Sequence, residues 1–171
     1  MSSATIRSAV INDAARMLEI QKTVITEDQF LMTTFDEFTQ TLEGQKAWIQ
    51  EKLTNEYETI LVAEADNKVV GWLVFRSPAR KRIAHTGNFG MMIDIQYRGQ
   101  GIGKKLLKEL LQWAKENPFI EKVCLGVFST NENAIALYKK MGFIEEGRKI
   151  NEIKLRDNEY VDDVLMYQFV K

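Results

Sequence analysis

Gln96 to Lys115 reads QYRGQGIGKKLLKELLQWAK, an arginine and three alternating glycines set directly before a run with helical periodicity. In that run Ile102, Leu106, Leu107, Leu110, Leu111 and Ala114 recur at helical spacing, and Lys104, Lys105, Lys108, Glu109 and Lys115 take other positions. This is the pattern of an amphipathic helix with one buried face. A strand that ends in a glycine-rich bend and opens a helix is an anion site. The first amides of the helix have no internal partner, and the helix dipole adds partial positive charge at the same end.

Two nucleotide motifs do not fit the turn. A P-loop has four residues between its glycine and the Gly-Lys pair and then Ser or Thr, whereas Gly99 to Gly103 encloses three and Lys104 is followed by Lys105. A Rossmann turn follows the first strand and spaces its last two glycines by three, which glycines 99, 101 and 103, late in the chain, do not do.

Outward from the turn the hydrophobic period alternates between strand and helix. Toward the N-terminus, TIRSAV reads as a short strand and leads into a helix from about Asp13, capped by Asn12 or Asp13, with Ala14, Met17, Leu18 and Gln21 on one face. A second helix is predicted from roughly Asp36 to Leu53. TILVAEA and KVVGWLVF flank DNK, a tight antiparallel connection. IAHTGNFGMMIDI is a further strand, in which Gly87 and Gly90 mark a bulge or a close backbone approach. Beyond the amphipathic helix come the strand EKVCLGVF, a short capped helix in NENAIALYKKMGF ended by Gly142, and two strands turning at RDNE. The order βααβββαβαββ implies an α/β fold, a sheet covered on both faces.

The chain of 171 residues has no linker-like stretch and predicts a single domain over 1–171. Its 23 basic side chains nearly cancel 24 acidic ones, so net charge favours neither nucleic acid nor membrane. One cysteine, Cys124, excludes an internal disulfide, and one histidine, His85, leaves no cluster at metal-ligand spacing; no metal is expected. With no apolar signal segment at the N-terminus, the expected location is the cytoplasm.

Arg98-x-x-Gly101-x-Gly103 closely resembles the pyrophosphate-binding turn of the GNAT superfamily of acetyl-CoA-dependent N-acetyltransferases. Asn131 to Phe143 resembles that family's Asn-x-x-Ala-x-x-Leu-Tyr-x-x-x-Gly-Phe segment. HTGNFGMMID and LRDNEYVDDVLM are similar to bacterial members that acetylate free L-amino acids, while the first sixty residues match loosely. The resemblance implies a mixed, mostly antiparallel central sheet with helices on both faces, and acetyl-CoA as co-substrate. It implies that backbone amides of Arg98, Gly99, Gln100, Gly101, Ile102 and Gly103 hold the pyrophosphate, with Asn131 and Asn133 on the cofactor side. Met92, Ile93, Asp94 and Ile95 would hydrogen-bond the pantetheine, and an amide near Ile93 would hold the oxyanion. Members of the family often carry a proline near the position of Ile95; without it, the splay of the neighbouring strands is left to a bulge. Tyr138 matches the tyrosine that protonates the CoA sulfur.

Attack of an amine on a thioester requires removal of a proton from an ammonium of pKa about 10 and stabilisation of an oxyanion. His85 is either that base or a hydrogen-bonded structural residue. Glu27, Asp28 and Phe30 lie in TEDQFLMTTF, Thr26 to Phe35, where the family's acceptor segments lie, and mix acids with apolar groups. Asp162 is a further acceptor-side residue or a loop-positioning one, and Arg80 or Arg82 would serve an acceptor carboxylate. Lys104 and Lys105 read as solvated, and Cys124 as a small buried hydrophobe. The expected partner is a small-molecule amine, foremost a free L-amino acid; polyamine, antibiotic or protein N-terminus stand behind it, as does a non-catalytic acyl-CoA sensor. A homodimer stays open.

Overall fold

The computed structural model describes residues 3–171. Seven strands form one sheet in the order β1-β2-β3-β4-β5-β7-β6. They are β1 (Thr5–Ser8), β2 (Thr59–Ala65), β3 (Lys68–Arg76), β4 (Thr86–Ile93), β5 (Lys122–Phe128), β6 (Ile144–Arg156) and β7 (Glu159–Phe169). Four helices, α1 (Ala14–Thr26), α2 (Leu42–Thr54), α3 (Ile102–Glu116) and α4 (Glu132–Lys140), complete the predicted order βααβββαβαββ. Every neighbouring pair of strands is antiparallel except β4 and β5, which are parallel.

The apolar stripe of α3 fixes one face of the sheet. Leu106, Leu107 and Leu110 are fully buried against Leu61, Leu73, Val123, Leu125 and Met166. Each such side chain contributes about 1.5–3 kcal/mol on leaving water. On the opposite face Met17 and Ile20 of α1 and Ile49 of α2 pack on Ile60, Val62, Trp72 and Val74. These two helices reach only the half of the sheet that holds β2 to β4, so the same face of β5 has no helix from α1 or α2 packed on it.

The DNK turn is as predicted: Asp66 and Asn67 both have positive φ, 53° and 59°, the conformation that a right-twisted two-residue hairpin requires. The second helix starts six residues later than the predicted Asp36. Thr41 caps it, its hydroxyl accepting from the Gly44 amide at 3.0 Å. The preceding residues turn on themselves instead, the Thr34 amide donating to Glu37 and the Thr34 hydroxyl to Asp36.

β4 pairs with β3 without a register shift from Arg76↔Asn88 to Gly71↔Ile93; the irregularity in this region is in the pairing of β2 with β3, where Ala63 and Glu64 face Gly71 and Val69 and Val70 of β3 is the extra residue. No bulge in β4 is needed to part it from β5. The parallel pairing covers only Thr86–Asn88 with Lys122–Cys124, and beyond it the two strands separate. Gly87 is a close approach: a Cβ there would lie 2.2 Å from Phe75 Cζ and 2.6 Å from the Arg76 carbonyl oxygen. Gly87→Ala is therefore expected to destabilise the fold by about 2 kcal/mol through overpacking at a fully buried ring. Urea unfolding measures it; a variant as stable as the parent would show that Phe75 can move.

Candidate active site

Where β4 and β5 part, a cavity of about 420 Å³ opens between them. Phe89 to Ile93 of β4 form one wall and Gly126 and Val127 of β5 the other. Ala134, Leu137 and Tyr138 of α4 close one side; Val24, Glu27 and the segment Gln29 to Leu31 close the side of α1. Glycines shape both walls. A Cβ on Gly90 would meet nothing within 4 Å, so the residue leaves that wall open. Gly126 is a strand glycine in EKVCLGVF, and a glycine inside a strand is itself a signal of close approach.

At the mouth, Gly99 and Gly101 take φ of 74° and 79°, a conformation that side chains disfavour, and neither has a neighbour within 4 Å of where a Cβ would be. Gly101 is the N-cap of α3, and no side chain caps that helix. α2 and α4, in contrast, are capped by Thr41 and Asn131. The first amides of α3 are therefore left for an external acceptor. Gly103 serves packing instead: its Cβ would be 3.3 Å from Met91 Cε and 3.4 Å from Leu137 Cδ2, so its absence lets α3 sit close to β4 and α4. Ile102 is buried beneath the turn, whereas Gln100 is exposed and donates to the Gln96 carbonyl at 3.4 Å.

The Arg98 side chain, 39% exposed, is held by the protein rather than left free in solvent. Its Nε donates to the Ile93 carbonyl at 3.1 Å, and its two terminal nitrogens donate to Glu27, each at 2.7 Å. This fork ties the end of α1 to the glycine turn. Glu27 thus reaches the cavity as expected, but with its charge engaged. Phe30 lines the cavity and is 42% exposed.

The extended part of β4 ends sooner than predicted. Met92 and Ile93 line the cavity, but Asp94 and Ile95 do not. Asp94 pairs with Arg16 and accepts from the Gln96 amide, opening a 3-10 turn over Ile95–Tyr97. Ile95 points outward.

Tyr138 lines the cavity and stacks edge-on with Phe89 and Phe143, at ring separations of 5.7 and 6.1 Å. Its hydroxyl makes no hydrogen bond to any described residue, and burial pushes its pKa up to about 12. Asn131 lines the cavity while capping α4 through the Ala134 amide at 3.3 Å, and Asn133 stands exposed beside it.

Several expected residues lie elsewhere. His85 precedes β4 at the end away from the glycine turn, four residues and about 13 Å of extended chain before Phe89. Its carbonyl accepts from the amides of Glu121 and Lys122. Asp162 does not line the cavity. Its carboxylate accepts from the Asn151 amide at 2.9 Å and its amide donates to the Ser129 hydroxyl at 3.0 Å, so it fixes loops. Asp28, Arg80 and Arg82 are exposed outside the cavity lining. Lys105 is half-buried, and its ammonium donates to the Ser3 hydroxyl and the Ala4 carbonyl. Cys124 is half-buried rather than buried, and desolvation raises its thiol pKa. Among the described residues no group of three or more His, Cys, Asp and Glu could hold a metal ion, and no helix is long and apolar enough to cross a membrane.

Comparison with known proteins agrees with this geometry. The L-amino acid N-acetyltransferase AaaT of Escherichia coli is 35% identical over 106 residues, 62% of this chain and 65% of that protein, so the match spans just under two thirds of that relative. A GNAT-family acetyltransferase from Streptococcus pneumoniae superposes with a TM-score of 0.91 at 26% identity, over 99% of this chain and 100% of the other. YncA of Salmonella typhimurium, solved with its cofactor acetyl-CoA, has the same fold at a TM-score of 0.89 and 21% identity, covering 99% of this chain and 95% of that one. The profile of the acetyltransferase (GNAT) family matches residues 24–143, from the end of α1 through α4, and the chain belongs to that family.

Proposed function

We propose that this acetyltransferase moves the acetyl group of acetyl-CoA to the primary amine of a small molecule, and that its acceptor is a free L-amino acid with an apolar side chain. The observation that carries the reading is the cavity at the parting of β4 and β5, with Tyr138 on one side and Phe30 and Leu31 on the other. The residues fit the co-substrate: the uncapped amides at the start of α3 suit a pyrophosphate, and the glycines leave its approach clear. Acetyl-CoA supplies a thioester. The cavity runs between β4 and β5, and Met92 and Ile93 stand along it. Tyr138 holds its proton at neutral pH and donates a hydrogen bond where the sulfur carries developing charge. The new bond is N–C and the broken bond is C–S; the amine loses one proton and the thiolate gains one.

The relative AaaT, named for L-amino acids, supports the acceptor class, as do Val24, Phe30 and Leu31 beside the cavity. One observation favours a second reading. Among the described residues the only cation lining the cavity is Arg98, and Glu27 holds both ends of its fork. An amino acid's carboxylate must compete for that fork, whereas a polyamine has no such need.

The test is release of the CoA thiol with L-phenylalanine and L-methionine, their N-blocked forms, spermidine and a lysine peptide. The free amino acids are expected to give kcat/KM at least about tenfold above spermidine and the peptide, a difference of ~1.4 kcal/mol in transition-state binding. Faster reaction of spermidine would move the assignment to the second reading.

A further inference from the structure

Folding alone does not account for Asp163. It lies on β7, is 5% exposed, and its Oδ1 is buried without a hydrogen-bond partner. An unpaired buried carboxylate is strongly unfavourable, and native proteins retain few such groups. Its register partners are Phe128 on β5 and Lys149 on β6. Lys149 does not pair with it; that ammonium is 3.9 Å from Glu152.

Strand alternation sets the direction of Asp163. Val164 and Met166 of the same strand pack in the core beneath α3, so Asp163 stands on the opposite face, the face of Gly126. A Cβ on Gly126 would lie 2.8 Å from Asp163 Oδ1 and 3.5 Å from its Cγ and Oδ2. The carboxyl therefore rests against the bare Cα of Gly126, which itself lines the cavity. Among the described residues the one carboxylate in the cavity lining, Glu27, is engaged by Arg98. A primary amine arrives as an ammonium, with a pKa of about 10. Taking that charge out of water requires a paired anion.

We propose that Asp163 is the carboxylate that receives the acceptor's ammonium, reaching it across the gap that Gly126 leaves in the cavity wall. The assignment rests on the acetyl-transfer reading and names the anion that reading needs. It accounts for two features at once, the orphan oxygen and the strand glycine beside it. Burial also raises the carboxyl's pKa, with Lys149 pulling it back and Glu152 pushing it further, which brings it nearer to sharing a proton with an amine.

Asp163→Asn keeps the shape and removes the charge. With acetyl-CoA saturating, the KM for the amine that the unsubstituted protein acetylates best is expected to rise at least about tenfold. Calorimetric affinity for acetyl-CoA should stay within about twofold. The melting temperature should hold or rise, because an unpaired buried charge has been removed. A purely structural aspartate would do the reverse, lowering the melting temperature and leaving the amine KM in place, and that result would overturn the assignment. Asp163→Ser is the second variant; an amine KM that rises with Asn but not with Ser would point to shape rather than charge and would also overturn it. Failure of the acetyl-transfer reading looks different: the unsubstituted protein would release no CoA thiol with any amine, and the assignment would go with it.

Discussion

Tyr138→Phe is expected to lower kcat about a hundredfold while leaving the KM for acetyl-CoA nearly unchanged, because a hydrogen-bond donor to sulfur acts chiefly as charge develops in the transition state. The estimate sits at the low end of acid catalysis because a thiol of pKa about 8.5 is already a fair leaving group. The substitution is clean. The hydroxyl has no partner among the described residues, so nothing is orphaned by its loss, and the ring keeps its contacts with Phe89 and Phe143. Burial holds the phenol at about 12, above the ordinary value near 10. The donor is therefore intact at every pH below about 10, and any alkaline fall in kcat there belongs to another group. Single-turnover measurement separates chemistry from product release. An unchanged single-turnover rate would reduce Tyr138 to packing.

What the sequence made legible follows from which signals are local. The turn at Gly99 to Gly103 and the stripe of α3 are local patterns, and the structure places both as read. The DNK hairpin is likewise decided by two residues that tolerate positive φ. The start of α2 is not legible locally, because Asp36 to Gln40 is compatible with a helix by composition while the side chains of Thr34, Asp36 and Glu37 bond to one another and to local backbone. Asp94 and Ile95 read as extended strand because nothing local shows that Arg16, from α1, holds the Asp94 carboxylate.

The acceptor side was the least legible, since it depends on register. Asp162 and Asp163 are adjacent, and a strand sends adjacent side chains to opposite faces. Their sequence cannot say which face holds the cavity. Pairing of β7 with β5 decides it: Asp162 ends on Ser129 and Asn151, and Asp163 on Gly126. His85 is attractive for its chemistry alone, and the direction of β4 carries it away from the turn.

Gly101→Val should weaken acetyl-CoA binding about a hundredfold, or ~2.8 kcal/mol, and the expectation separates two effects that one substitution mixes. The first is strain. Gly101 has φ of 79°, and a side chain in that region costs about 1–2 kcal/mol, enough to lower the melting temperature by roughly 4 °C in a chain of this size. The second is obstruction. No protein atom lies within 4 Å of the Cβ position, so a side chain there meets no wall and projects over the uncapped amides of α3. Asparagine divides the two. This chain already places Asn67, Asn151 and Asn158 at positive φ, so Gly101→Asn should fold with little loss of stability while still covering the amides. Calorimetry with acetyl-CoA is expected to show weaker binding for both variants and a lowered melting temperature for valine alone. Parental affinity in Gly101→Asn would mean that the pyrophosphate does not approach the backbone at this residue, and the turn would then owe its glycines to the tight bend between β4 and α3.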